Sequence, residues 1–356
     1  MILGLVAMLV IALLAAALLI GSRPRVPNPF GPARNGLIAY DRNGDLYVGD
    51  PVTGASTLIV GTADTDGLPA FSPDGTHIAF IRQSPGRPPF DIVVVDASGR
   101  DPTVVSPAPM ADIVWLDWTP DSRAVIFISP TTGYALQRAA ADGSGVTTLV
   151  DDMAVDGPVF RPPDGGRILF RGMDSHGVGL YTMRPDGTHL TVLIPPETSQ
   201  NMDFDLREPR WSPDGTLIAY QRWSDDLGQM RVYVMNADGT GSRPLPHAPD
   251  AWYEGWPVWS PDGTRLAIQR IFKDGSAAAK AGIPFALVAA DGRADAMAIG
   301  PPMSGSGLRI EWSPDGTVLL AKSDTHRQVF IDPGGGPPEP AAWDSTAFPA
   351  WQRLAP

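Results

Sequence analysis

The chain begins with an apolar run from Met1 to Ile20, interrupted only by Gly4. A helix of that length spans about 30 Å, the thickness of a bilayer's hydrocarbon core. Pro24, Pro27, Pro29 and Pro32 follow. Proline at that density prevents regular pairing and gives a stiff, extended spacer. Beyond it the pattern changes to short runs of branched and aromatic residues, such as DIVVVD, LIAYQR and RVYVMN, punctuated by Asp-Gly and Pro. Runs of this length bounded by turn residues predict strands, and Asp-Gly between two of them predicts a hairpin.

One string recurs. It reads PAFSPDGTHIAFIR from Pro69, LDWTPDSRAVIFIS from Leu116, PVFRPPDGGRILFRG from Pro158, PRWSPDGTLIAYQR from Pro209, PVWSPDGTRLAIQR from Pro257 and IEWSPDGTVLLAKS from Ile310. The aromatic anchors Phe71, Trp118, Phe160, Trp211, Trp259 and Trp312 are spaced by roughly 40 to 50 residues, the period of a four-stranded propeller blade. Each string predicts a first strand ending at the aromatic. In the Ser-Pro-Asp-Gly turn that follows, Pro pre-sets φ, Asp bonds forward to its own backbone and Gly takes the positive φ.

The two ends complement each other. Gly36–Val60 reads as the second to fourth strands of a blade that lacks a first, and Phe348–Arg353 as a first strand without successors. Joined, they predict a ring closed by its own termini, which removes exposed sheet edges. With Trp351 as a further anchor the expected fold is an all-β, seven-bladed β-propeller, with six blades as the alternative. The expected organisation is a transmembrane anchor at 1–20, a proline-rich linker at 21–34 and a propeller at 35–353.

The Trp-Ser-Pro-Asp-Gly repeat resembles that of the TolB-like β-propellers, over Asn35 to Arg353. The resemblance implies the fold and an envelope setting. It does not fix an activity, since related propellers include an envelope subunit and the propeller halves of serine peptidases. TolB has six blades and a separate N-terminal domain, so its particular partners do not carry over.

Composition narrows the chemistry. A formal charge of -12 disfavours nucleic acid. With no cysteine, thiolate metal sites, thiol nucleophiles and disulfides are excluded. No Gly-x-Ser-x-Gly elbow occurs. The histidines His77, His176, His189, His247 and His326 show no short ligand spacing. Asp74, Asp214, Asp262 and Asp315 read as turn residues, because no segment supplies the alternating carboxylates of a calcium loop. Gly334–Gly336 lacks the Lys and helix of a phosphate cradle. Neither a metal nor a cofactor is expected.

Trp118, Trp211, Trp259, Trp312 and Trp351 are repeat positions and predict core, whereas Trp115, Trp223, Trp252, Trp256 and Trp343 fall outside that register. Loops entering the first strands and loops joining second to third strands open on one face of a propeller. That face is expected to gather Trp115, Asp117, Asp203, Asp205, Arg207, Glu208, Trp223, Asp225, Trp252, Tyr253, Glu254 and Trp256. Aromatic groups beside Arg and carboxylates at a ring's mouth suit a peptide, glycan or protein loop. The expected function is a non-catalytic protein- or ligand-binding or scaffold module of the bacterial cell envelope. It would be monomeric and held to the lipid bilayer by residues 1–20, with the propeller extracytoplasmic even though Arg23 and Arg25 follow the apolar run. The alternatives are a hydrolase or lyase using carboxylates such as Asp203, Asp205, Glu208 and Asp225, and the sensor half of a transmembrane regulator.

Overall fold

The computed structural model describes residues 27–355 except 86–89, 107–111, 198–205, 249–250, 273–284, 294–295, 302–308, 323–327 and 346–347. The expected anchor at 1–20 and residues 21–26 of the linker lie outside the described residues. Among the described residues no helix is long and apolar enough to cross a membrane.

The strand Ala124–Ser129 shows why the repeats form a ring. Its side chains alternate between faces. Val125 and Phe127 pack against Ile81, Ile92 and Val94 of the preceding sheet, while Ile126 and Ile128 pack against Val155, Phe160 and Phe170 of the following one. Burial on both faces explains the continuous apolar run. The same two-sided packing passes from sheet to sheet until Leu320 meets Ile38, Tyr40 and Trp351. The chain is an all-β propeller, and first strands of neighbouring sheets pack against one another at its centre.

Among the described residues, five sheets have four strands each and one has eight. Thr65–Phe71, His77–Gln83, Phe90–Asp96 and Thr103–Val104 make a representative four-stranded sheet. This corrects the expected count: the described residues form five separate four-stranded blades, rather than seven or six. The repeats anchored by Trp211 and Trp259 share the eight-stranded sheet, because Gln229–Asn236 makes a parallel pairing to Ala251–Trp259 at Met230 and Tyr253. The halves of that sheet still face each other, with Ala219, Val232 and Val234 packed against Trp259, Leu266 and Ile268.

Three anchors also fix the spacing between neighbours by a hydrogen bond. The indole N–H of Trp118 donates to Ala70 O at 2.9 Å, that of Trp259 to Arg210 O at 3.2 Å and that of Trp312 to Val258 O at 3.2 Å. Each acceptor is the residue just before the preceding repeat's aromatic. The Ser-Pro-Asp-Gly turns after the anchors are held by their own side chains. In one of them Ser72 Oγ donates to Asp74 Oδ1 at 2.6 Å, and Thr76 N donates to the same oxygen at 3.0 Å. Partial burial opposes ionisation of Asp74, but these bonds outweigh it and hold the carboxyl below its usual range. Asp214, Asp262 and Asp315 make the same bonds.

The ring closes where Arg34–Arg42 pairs antiparallel with Ala350–Leu354, with Ile38 opposite Trp351 and Ala39 opposite Ala350. Trp343, outside the repeat register in the sequence, is core here and stacks on Tyr40 at 5.4 Å. Trp351 is 7% exposed within the same apolar cluster. Replacing it by Ala is expected to cost about 3–5 kcal/mol in urea denaturation. A loss below about 1 kcal/mol would show that the closing strand contributes little.

Candidate binding site in the central channel

In a first strand the residue before the buried anchor points the other way, into the channel. Ala70, Val159, Val258 and Ala350 are apolar at that position, but Asp117, Arg210 and Glu311 are charged. These three come from three different sheets and interact across the channel.

Two residues further up lie Trp115, Glu208, Trp256, Arg309 and Phe348, which together with Arg210 and Glu311 line a cavity of about 220 Å³. Two of these side chains are aimed by a backbone irregularity. Glu208 and Trp256 each precede a proline and have φ of 50° and 54°, where the strand register shifts. Proline cannot donate to the ladder, so the strand bulges there and turns a side chain inward. Leu68 and Gly157 likewise combine a positive φ with a register shift before Pro69 and Pro158. Positive φ at a bulky residue such as Trp256 costs about 1–3 kcal/mol and persists only where the surroundings enforce it. Next to it, a Cβ on Gly255 would run into the Gln221 amide and the Tyr253 hydroxyl, so a larger residue there would have to displace them.

Each indole at the mouth carries a guanidinium. Arg210 lies 5.6 Å from the Trp115 ring centre and Arg309 lies 5.3 Å from that of Trp256. Arg210 is also paired with Glu208 at 2.7 Å. Deeper in, burial pushes the Asp117 carboxyl up to about 6, against the Trp118 N–H and Arg210, which favour its ionised form. Burial pushes Glu311 up to about 7; the Asp117 charge adds to this, while Arg210 and Arg353 oppose it.

The opposite end of the channel, at the Ser-Pro-Asp-Gly turns, is covered by the chain's own N-terminal segment. Pro29, Phe30 and Gly31 lie there among Trp211, Trp259, Trp312 and Trp351. Arg353 holds the segment, donating to Asn28 O at 3.3 Å and to Gly31 O. Ala33 N donates to Pro314 O at 2.9 Å.

The residues expected on one face therefore divide. Trp115, Asp117, Glu208 and Trp256 come together in the channel. Glu254 is instead built into the sheet, buried against Arg270 at 2.8 Å and accepting from Ala248 N. The Tyr253 hydroxyl donates to Gln221 at 2.9 Å, and Arg207 is half-buried beside that contact. Trp223 is half-buried and Asp225 exposed around the Ser224–Gly228 turn, apart from the cavity. Asp203, Asp205 and the Trp252 side chain lie outside the described residues. Arg210, Arg309, Glu311, Phe348 and Arg353 were not anticipated. Their signal was the position before each anchor, and two before that, where polar residues replace apolar ones. Among the described residues no three His, Asp or Glu side chains are grouped as a metal ion would require.

No family model matches the chain. An uncharacterized protein of Agrobacterium fabrum is 29% identical over 116 residues, 30% of this chain and 39% of that protein. The lasso peptide isopeptidase of Asticcacaulis excentricus is 29% identical over 134 residues, 36% of this chain and 15% of the isopeptidase. The matches thus span well under half of either relative. Among solved structures, TolB from Acinetobacter baumannii superposes with a TM-score of 0.56 at 17% identity, covering 88% of this chain and 81% of TolB. The chain has a TolB-like β-propeller fold. An oligogalacturonate lyase in complex with manganese shares it, with a TM-score of 0.61 at 15% identity over 84% of this chain and 83% of the lyase. At these identities the likeness shows the fold alone.

Two outcomes test the channel. Removing the guanidinium in Arg353→Ala is expected to free residues 27–33 and raise iodide quenching of tryptophan fluorescence, because four indoles line that opening. Unchanged quenching would show that the segment is held otherwise. For the carboxyls, the folded state keeps protons that the unfolded chain releases, so stability falls as pH rises from the ordinary carboxylate range through about 7. Glu311→Gln is therefore expected to stabilise the protein at pH 8 and to change little at pH 5, measured by urea denaturation. Equal destabilisation at both pH values would contradict the raised Glu311.

Proposed function

We propose that the chain is a non-catalytic binding module of the cell envelope, tethered to a membrane by residues 1–20, whose ligand enters the mouth between Trp115 and Trp256. The observation that carries this reading is the pair of indole–guanidinium stacks around one cavity, with Pro29–Gly31 lining a separate cavity at the opposite end of the channel. Rigid aromatic rings with adjacent Arg are the groups that dominate binding interfaces. At about 220 Å³ the cavity is smaller than the roughly 300–1,000 Å³ of small-molecule pockets. It suits one side chain or chain end of a peptide or protein loop.

Capture of partners from envelope extracts by the soluble body is expected to lose at least tenfold in yield with Trp256→Ala, while the urea midpoint stays near wild type. Capture unchanged by Trp256→Ala and by Trp115→Ala would contradict a ligand site at this mouth.

A second reading has one specific support. Two carboxyls that hold protons near neutral pH could act as general acids, and the lyase shares the fold. The hydrolase or lyase would then use Asp117 and Glu311, since Glu208 is paired with Arg210 and Asp225 is outside the cavity. Unsaturated product from oligogalacturonate, lost in Glu311→Gln, would favour it.

A further inference from the structure

The charges around the mouth are not equally occupied. Arg210 is paired with Glu208 at 2.7 Å, and Arg353 is spent on the carbonyls of Asn28 and Gly31. Arg309 is exposed and held over Trp256, and among the described residues no carboxylate lies within ion-pair distance of it. An aromatic face under a guanidinium fixes its plane and leaves its N–H edge free for a planar, two-oxygen acceptor. Glu311, two positions along the same strand, lies on the same side of that strand and lines the same cavity.

A cavity of this volume is roughly 7 Å across, so an anion inside it would stand within strong Coulomb range of Glu311. The charged groups facing Glu311 are Asp117 from one sheet, Arg210 with its partner Glu208 from a second, and Arg353 from the closing strand. Arg309 stands above it on its own strand. With Asp117, Glu208 and Glu311 all ionised, three carboxylates balance three guanidiniums, and Lys322, opposite Arg309 on the next strand, is offset by the charge of Asp41, so an entering anion gains little. With a proton on Glu311 the channel has one net positive charge, and the carboxyl becomes a donor.

Resting on the reading of the mouth as a ligand site, we infer that it binds the carboxylate of an acidic peptide segment on Arg309, and that binding takes up one proton, onto Glu311. The proton comes from solvent, no bond to the ligand forms or breaks, and release of the peptide returns it. The cavity's size selects a short acidic side chain or chain end over a multi-ring saccharide acid.

The test uses tryptophan fluorescence of the folded chain, titrated at pH 6 and pH 8 with a hexapeptide containing two aspartates, its asparagine counterpart and digalacturonate. The aspartate peptide is expected to bind about tenfold more tightly at pH 6 than at pH 8, as uptake of one proton near neutrality requires. Glu311→Gln should bind with the pH 6 affinity at both pH values, and Arg309→Gln should lose at least tenfold without changing the urea midpoint. Equal binding of the asparagine peptide, or affinity independent of pH in the wild-type chain, would overturn the proposal while leaving the mouth a binding site. Digalacturonate bound in place of the peptide would overturn the peptide assignment. If no probe binds at millimolar concentration, the carboxylate proposal fails. The fate of the mouth itself is then read separately, from partner capture with Trp256→Ala.

Discussion

A sheet whose two faces are both apolar cannot stand at the end of a row; it must have a neighbour on each side. Ile38 opposite Trp351 meets that requirement for the first and last repeats at once. The Tyr40, Trp343 and Leu320 side chains fill the seam between them. Without this pairing, two sheets would expose apolar faces and two strand edges would be unpaired, a combination that invites aggregation. Closure therefore turns a series of marginal units into one cooperative body.

The candidate site follows from the same geometry. Once an anchor aromatic is packed between sheets, the residue before it has no choice but to face the channel. Charges placed there are drawn together from distant repeats, which is how Asp117, Arg210 and Glu311 come to interact although nearly two hundred residues separate the first from the last. Shielding from water raises both carboxyls. The bulges at Glu208-Pro209 and Trp256-Pro257 then aim a carboxylate and an indole at the mouth. Fold, electrostatics and access are thus one arrangement.

Much of the fold was legible in the sequence because turns carry strong local chemistry. Ser-Pro-Asp-Gly, with its Asp bonded to the flanking Ser and Thr, marks four of the repeats without reference to tertiary structure. The complementary ends showed which strands share a sheet. The merger of two repeats into an eight-stranded sheet was not legible, since it depends on a single pairing, Met230 with Tyr253, that no local pattern encodes. The site was legible only in part. Trp115, Asp117, Glu208 and Trp256 stood out as aromatic or charged residues ahead of the anchors, but Glu254 looked the same and is a buried partner of Arg270. Arg210 and Glu311 were passed over because a polar residue within a strand reads as solvent-facing. Only ring closure makes that direction the inside of a channel.

Amide hydrogen exchange along the closing seam tests the account most directly. Ile38–Tyr40 and Ala350–Gln352 are expected to open with the same free energy as the interior strand His77–Gln83, because the ring unfolds as a unit. Exchange of the two terminal segments at the rate of frayed chain ends, with His77–Gln83 still protected, would contradict a ring held shut by its own first and last strands.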